Sequence, residues 1–119
     1  MIKLIFSLIL IISLFSCSRN VEYNKELWDV KNDGFYYSNR EFMLDDLINN
    51  YHLKGKHIKE LNEIFNNVVV DTFENHYRIS FNIVTDYGWN IDPVYTKDLI
   101  LELNKDSIVK SVEVFEHRN

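Results

Sequence analysis

The sequence predicts an α+β domain in which two helices precede a three-stranded antiparallel sheet, packed as two layers. Apolar residues recur at helical spacing from about residue 39 to residue 65. From about residue 77 onward they alternate with polar residues, as they do in half-buried strands. Turn-forming residues separate the last two alternating stretches, which favours an antiparallel connection between them. This change of period along the chain is what predicts the two layers.

The predicted helices are defined by their ends and by their apolar faces. The first begins near Asn39, where Ser38 and Glu41 have the spacing of a capping box that satisfies backbone N–H groups. Its apolar face consists of Met43, Leu44, Leu47, Ile48 and Tyr51. Gly55 follows its end, and the second, shorter helix is predicted to stop at Asn66-Asn67. The apolar face of this second helix consists of Ile58, Leu61, Ile64 and Phe65.

Three strands are predicted in the second half of the chain. The apolar side of the first consists of Tyr77, Ile79, Phe81 and Ile83, and that of the second of Leu99, Leu101 and Leu103. The third runs from residue 108 to residue 115 and includes Val112 and Val114. Residues 104–107 supply the turn before it. Residues 68–70 are interpreted either as the end of a connector or as an added short strand.

Composition limits the class of protein. The chain has 119 residues, which is the size of one domain. Hydrophobic residues make up 46%, with only three glycines and one proline, so the chain is neither collagen-like nor wholly disordered. The net charge of −5 gives no electrostatic support for nucleic-acid binding. The single cysteine excludes an intramolecular disulfide and a cysteine-rich zinc site.

The N-terminus has the pattern of an exported protein. Lys3 precedes an apolar run over residues 4–15, which is shorter than the roughly 20 residues that span a bilayer and fits a signal peptide. Residues Leu14, Phe15, Ser16 and Cys17 follow one another at its end. They resemble the lipobox of bacterial lipoproteins, with Leu14 three positions before Cys17 and the small Ser16 directly before it. The resemblance implies that signal peptidase recognises Leu14 and Ser16 and that acyl chains, palmitate among them, are attached to Cys17.

This interpretation divides the chain into three segments. Residues 1–16 are the signal peptide, residues 17–38 are the lipidated cysteine with a tether and an arm, and residues 39–119 are the small α+β domain. The aromatic residues late in the arm are candidates to dock it on the domain. A thiolate is the nucleophile that thioether formation needs, and more than one acyl chain anchors a protein stably. We therefore expect a membrane partner through the lipid anchor and no cofactor beyond this covalent lipid.

Two other interpretations of Cys17 stay open. In the first, Cys17 is a buried free cysteine at the edge of a core helix. In the second, the N-terminal segment is retained as a signal anchor and Cys17 is unmodified. The residues after it are Ser18-Arg19. Because no aspartate follows Cys17, the inner-membrane retention signal of enteric bacteria is absent. This favours the outer membrane or the cell surface over the inner membrane.

The loop between the first two predicted strands is the candidate binding site. It spans residues 85–95 and contains the only proline and the second tryptophan. Loops carry function more often than cores do. The candidate partner-binding residues are Tyr87, Trp89, Asp92 and Tyr95. The alternative is that the three aromatic side chains close the open end of a small core.

Catalytic and metal-binding patterns are weak. His52 and His57 lie on either side of a glycine turn, so they do not share a helical face as a metal-binding pair would. Asp45 and Asp46 with His52 are better explained as solvated residues on a helix surface than as a metal set. No nucleophile motif is present. We therefore expect no catalytic residues, no metal site and no enzyme activity.

The stretch from Met43 to Lys56 carries a family resemblance. Its residues Met43, Asp46, Leu47, Ile48, Tyr51, Leu53, Gly55 and Lys56 resemble the approach to the second helix in the small outer-membrane-assembly lipoproteins of the SmpA/OmlA, BamE-like type. Two helices before a three-stranded sheet also match that family over residues 40–116. Where the family has serine or threonine after the glycine-lysine pair, this chain has His57.

This resemblance implies a non-catalytic binding or scaffold role in outer-membrane protein assembly or envelope maintenance, with another envelope protein as the partner. A second hypothesis is an inhibitor or immunity-type lipoprotein that binds an exported enzyme through the aromatic loop. An envelope hydrolase that uses aspartate or histidine has the weakest support.

Overall fold

The helices come first along the chain and one antiparallel sheet follows. The computed structural model describes residues 20–31, 36–89 and 91–119, so the predicted signal peptide, the lipobox-like residues and Cys17 lie outside the described residues. The described elements are α1 (Lys25–Trp28), α2 (Arg40–Asn50), α3 (Ile58–Ile64), β1 (Asp71–Phe73), β2 (His76–Asp86), β3 (Tyr95–Leu103) and β4 (Val109–Arg118). The predicted α+β class with helices before an antiparallel sheet is confirmed.

The sheet has four strands in the order β1-β2-β3-β4, so the prediction of three strands is wrong by one. The additional strand, β1, pairs with β2 in the register Phe73 to His76. Glu74 and Asn75 between them have φ angles of 47° and 66°, as the two-residue turns that join tight hairpins require. All of β1 is exposed, and it has three residues, so it leaves no alternating pattern in the sequence.

The core lies between one face of the sheet and the helices. Its strand residues are Ile79, Phe81, Ile83, Leu99, Leu101, Leu103 and Val109, and its helix-side residues are Trp28, Met43, Leu44, Leu47, Leu53, Leu61 and Phe65. The apolar positions that predicted β2 and β3 are therefore the buried ones, except Tyr77, which is exposed, whereas Val112 and Val114 in β4 are half-buried. Ile48 also departs from the predicted helix face, because 36% of it is exposed.

A capping box lies at the start of α3. At α2 the N-cap position is occupied by Asn39, one residue after Ser38, and the Asn39 side chain makes no capping hydrogen bond. At α3, Nδ1 of His57 accepts a hydrogen bond from the backbone N–H of Lys59 at 3.1 Å. The backbone N–H of His57 donates to Glu60 at 3.3 Å. His57 therefore caps α3 through its side chain and its backbone N–H.

Loss of this cap has a measurable cost. We expect His57→Ala to lower the free energy of unfolding by about 1 kcal/mol, because it leaves a first-turn N–H without its acceptor. His57→Ser should retain most of the stability, and Lys59→Ala, on the exposed side of the same helix, should change it little. Urea unfolding followed by circular dichroism measures all three. Equal losses for the alanine and serine variants at position 57 would contradict a capping role.

Part of the segment that the sequence assigns to a tether and arm packs against α2. The backbone N–H of Val21 donates to the carbonyl of Phe42 at 2.8 Å, and that of Tyr23 donates to Asp46 at 2.7 Å. The Tyr23 hydroxyl donates to the carbonyl of Ile64 at 2.7 Å. The bond from Tyr23 lowers the pKa of Asp46, so Asp46 stabilises the fold while it is ionised and stops doing so as the pH falls through that lowered pKa.

Arg40 is the buried charged residue of the described chain, with 5% of it exposed. Its Nε donates to the carbonyl of Trp28 at 2.8 Å, and its Nη1 donates to the carbonyl of Asn82 at 2.9 Å. Its Nη2 lies 3.4 Å from Asp29, and its guanidinium carbon lies 3.4 Å from the ring centroid of Tyr37. Burial lowers the pKa of Arg40, and these partners offset that burial. Arg40 thus joins α1, α2 and β2.

Candidate functional site

The loop between β2 and β3 is shorter than the sequence predicts, because β2 continues to Asp86 and β3 begins at Tyr95. The base of this loop is held by Asp86. Its carboxylate accepts the backbone N–H of Gly88 at 2.8 Å, and its carbonyl accepts the backbone N–H of Val94 at 2.7 Å. Gly88 has a φ of +57°, a left-handed conformation in which glycine is not strained. Asp86 therefore holds the chain reversal through its side chain and its backbone carbonyl.

The last residue of β4, Arg118, and the residue after it, Asn119, hold the other side of the loop. The backbone N–H of Asn119 donates to the carbonyl of Val94 at 3.0 Å, and its side-chain amide donates to the carbonyl of Pro93 at 2.8 Å. The guanidinium of Arg118 lies 4.5 Å from the ring centroid of Tyr95. Both ends of the loop are thus attached to the sheet.

The tip of the loop presents two large apolar side chains to solvent. The relative exposure is 104% for Trp89 and 95% for Ile91. Together with Asp92, Pro93, Val94 and Asn119 they line a shallow concavity of about 530 Å³. Apolar residues exposed singly are ordinary, whereas apolar residues that line one concavity together are typical of a contact surface.

The structure separates the four residues that the sequence singled out. Trp89 and Asp92 are at the surface of the loop. Tyr87 packs against Tyr36, with ring centroids 6.3 Å apart, and Tyr95 is half-buried in β3. The aromatic residues therefore do not act together to close the core, because the side chain of Trp89 covers none of it. The sequence analysis missed Ile91, whose only signal is an apolar residue between polar neighbours in a loop.

The two aspartates of α2 that the sequence analysis considered as metal ligands have hydrogen-bond partners within the fold. Asp45 accepts a hydrogen bond from the side chain of Asn20 at 3.0 Å, and Asp46 binds Tyr23 and Asn50. Among the described residues no group of three or more His, Cys, Asp or Glu side chains is placed to hold a metal ion. What the loop offers chemically is apolar contact area with a carboxylate beside it.

Comparison with protein-family models, curated proteins and solved structures found no match to this chain. Within residues 20–31, 36–89 and 91–119, no helix combines the length and the hydropathy that crossing a bilayer requires.

Proposed function

We propose that this protein is a membrane-anchored envelope lipoprotein and that it acts as a non-catalytic binding module. Its lipid is attached at Cys17, and its contact with another envelope protein is made by the tip of the β2–β3 loop. The observation that carries the binding role is the full exposure of Trp89 and Ile91 on a loop held at both ends. The anchor is supported by the lipobox pattern at Leu14, Ser16 and Cys17.

The energetics of the tip favour binding. Burying a large apolar side chain contributes about 1.5–3 kcal/mol, so Trp89 and Ile91 would act as the anchors of an interface whose remaining area must offset the entropic cost of association. The bonds that Asp86 and Asn119 make hold the two ends of the loop to the sheet, so fewer backbone torsions have to be ordered on binding. Tryptophan is also among the residues most enriched at the centres of protein interfaces.

The wider role follows from the family resemblance. A small lipoprotein with two helices before an antiparallel sheet resembles the outer-membrane-assembly lipoproteins, which supports a scaffold role in that process or in envelope maintenance. The absence of aspartate after Cys17 supports the outer membrane or the cell surface. The fold by itself supports no particular partner, because small α+β domains serve many functions.

A site-specific crosslinking experiment tests the proposal. The full chain is expressed in bacterial cells with the photoreactive residue p-benzoylphenylalanine in place of Trp89, and after illumination the membrane fraction is probed for adducts. We expect an adduct with one envelope protein that is lost when Ile91→Asp is added. Phe73 is the matched control position, because it is a large exposed residue at the β1–β2 turn (72% exposed).

Equal adducts from positions 89 and 73, or none from position 89, would contradict the binding loop. An adduct with an exported enzyme that loses activity on binding would favour the inhibitor hypothesis over the scaffold. In the same cells, incorporation of labelled palmitate that persists in Cys17→Ala would contradict the anchor, with Ser18→Ala as the control.

A further inference from the structure

Among the described residues, the edge strand β4 has backbone hydrogen bonds on its outer side only at its start. In the described part of the chain β4 has a single neighbouring strand, β3. At its start Val109 exchanges two backbone hydrogen bonds with the turn after α2: Gly55 N–H to the Val109 carbonyl at 2.8 Å, and Val109 N–H to the Lys56 carbonyl at 2.9 Å. Residues 55–57 thus lie beside β4 as the beginning of another strand. From residue 110 to residue 118 the described chain adds no further strand on that side.

A groove runs beside this open edge, on the core face of the sheet. Its volume is about 390 Å³, and it is lined by Ile48, His52, Leu53, Lys54, Val112 and Val114. Val112 and Val114 pair with Leu101 and Leu99, so their side chains share the face that the core occupies. Ile48 faces them from α2 and is the one member of the predicted helix stripe that is exposed. The floor and one wall of the groove are therefore apolar.

We propose that this groove binds an extended segment of another polypeptide, which adds to the sheet as a strand beside β4 in line with residues 55–57. Successive side chains of a strand point to opposite faces of the sheet. Alternate side chains of the added segment would therefore enter the groove and meet Val112, Val114 and Ile48. Main-chain hydrogen bonds supply affinity in this mode of binding, and the pockets for alternate side chains supply specificity. The segment carries aliphatic residues two positions apart.

The charges of the groove orient that segment. Lys54 and His52 lie where the groove meets the turn after α2, and Lys54 makes no ion pair with any described residue. At the far end of β4, Glu116 lies 3.9 Å from Lys97 and is thus already compensated. We therefore expect an acidic residue or a terminal carboxylate at the Lys54 end of the bound segment.

A second copy of this chain is the competing occupant of this edge. Antiparallel pairing of two copies about Val114 would set Lys110 opposite Arg118 and Val112 opposite Glu116. Pairing about Glu113 would set Val112 opposite Val114 and Lys110 opposite Glu116, and it would also set the two Glu113 carboxylates opposite each other. Like charges that face each other across strands destabilise the pairing. The test below therefore includes a dimer as one of its outcomes.

The test is a peptide titration of the full-length, ¹⁵N-labelled chain in a mild detergent, followed by NMR. The probe is a synthetic octapeptide in which valine alternates with threonine and the last residue is aspartate. We expect it to shift the amide resonances of residues 110–116 and 48–54. Two further peptides carry N-methyl groups, one peptide on the odd-numbered residues and the other on the even-numbered residues, which removes those backbone donors and keeps every side chain. In an added strand only one of these two sets of N–H groups faces β4. The peptide that has lost that set should bind about tenfold more weakly or worse, and the other should bind like the parent.

Matched variants test the side-chain contacts. Ile48→Lys puts a charge into the groove and should weaken binding at least about tenfold, whereas Asn49→Lys makes the same charge change on the exposed neighbouring position and should not. Lys54→Glu should weaken binding of the aspartate peptide and strengthen binding of a peptide that ends in lysine. Ile48 and Lys54 are exposed, so neither change is expected to unfold the protein, and the spectrum of each variant checks this.

Four results would overturn the inference. The first is equal binding by both N-methylated peptides. The second is a set of shifts confined to residues 87–91, which would move peptide binding to the β2–β3 loop. The third is a dimer in which the amides of residues 110–118 are protected without peptide, so that a second copy is the occupant. The fourth is the absence of any shift at millimolar peptide. None of them affects the crosslinking test of the β2–β3 loop, because the groove and the loop share no residue.

Discussion

Replacing Trp28 with alanine is expected to lower the free energy of unfolding by about 3–5 kcal/mol, as for other large aromatic residues removed from a core. Only 1% of Trp28 is exposed. Its ring lies edge-on to Tyr23 and Phe81, with centroid distances of 5.6 and 5.7 Å, and is tilted against Phe65 at 5.9 Å. Alanine would leave a cavity among these rings and detach α1 from the domain.

The second tryptophan is a matched control for this experiment. Trp89→Ala should leave stability nearly unchanged, because that side chain is fully exposed. Trp28→Phe should cost much less than Trp28→Ala, since it keeps a ring in the cluster and removes a buried Nε1–H that has no acceptor among the described residues. Urea unfolding followed by circular dichroism compares the variants. If Trp28→Ala and Trp89→Ala had similar small effects, α1 would not be part of the folded core.

Arg40→Met should be the second most damaging change, with an expected loss of about 2–4 kcal/mol. The aliphatic stem of methionine fills part of the same space, so the loss reports mainly the guanidinium. The carbonyls of Trp28 and Asn82 would lose their charged donor, and Asp29 would lose its counterion. The cation–π contacts with Tyr37 and Trp28 would also be lost.

Two further variants distinguish this role from a general effect of charge. Arg40→Lys keeps the charge but cannot satisfy three partners in fixed directions, so it should recover only part of the stability. Arg78→Met removes an exposed ion pair with Glu102 and should cost less than about 1 kcal/mol. Thermal unfolding monitored by circular dichroism measures both. A loss for Arg78→Met as large as that for Arg40→Met would contradict the junction that Arg40 makes between α1, α2 and β2.

The strands and helices were predictable to the extent that one of their faces is buried. Ile79 and Phe81 in β2, and Leu99 and Leu101 in β3, alternate with polar residues because only one side of the sheet meets the core. β1 has no buried face and therefore no alternating pattern by which to predict it, since all of it is exposed and its pairing depends on a two-residue turn. The cap at His57 was missed for a different reason: histidine is rarely a capping residue, and only the position of its Nδ1 shows that it is one here.

The candidate site shows where sequence reasoning stops. The loop, its aromatic residues and its position between two strands follow from the sequence, because turn chemistry and alternation are local properties. The fates of the two tryptophans do not. Trp28 lies in a polar segment and is buried, whereas Trp89 lies in a loop and is exposed. Tryptophan is compatible with both places, so the residue type by itself does not predict which one is buried.

By itself the sequence determined the α+β class, the position of the helices before the antiparallel strands, and the loop between β2 and β3. These depend on neighbouring residues, whose periodicity records which side of each element avoids water. The tertiary structure alone decided that Arg40 joins α1, α2 and β2, that Trp28 completes the core, and that Ile48 lines a groove beside β4. Those facts depend on contacts between residues distant in the chain, because burial is a property of the assembled layers and not of any one segment.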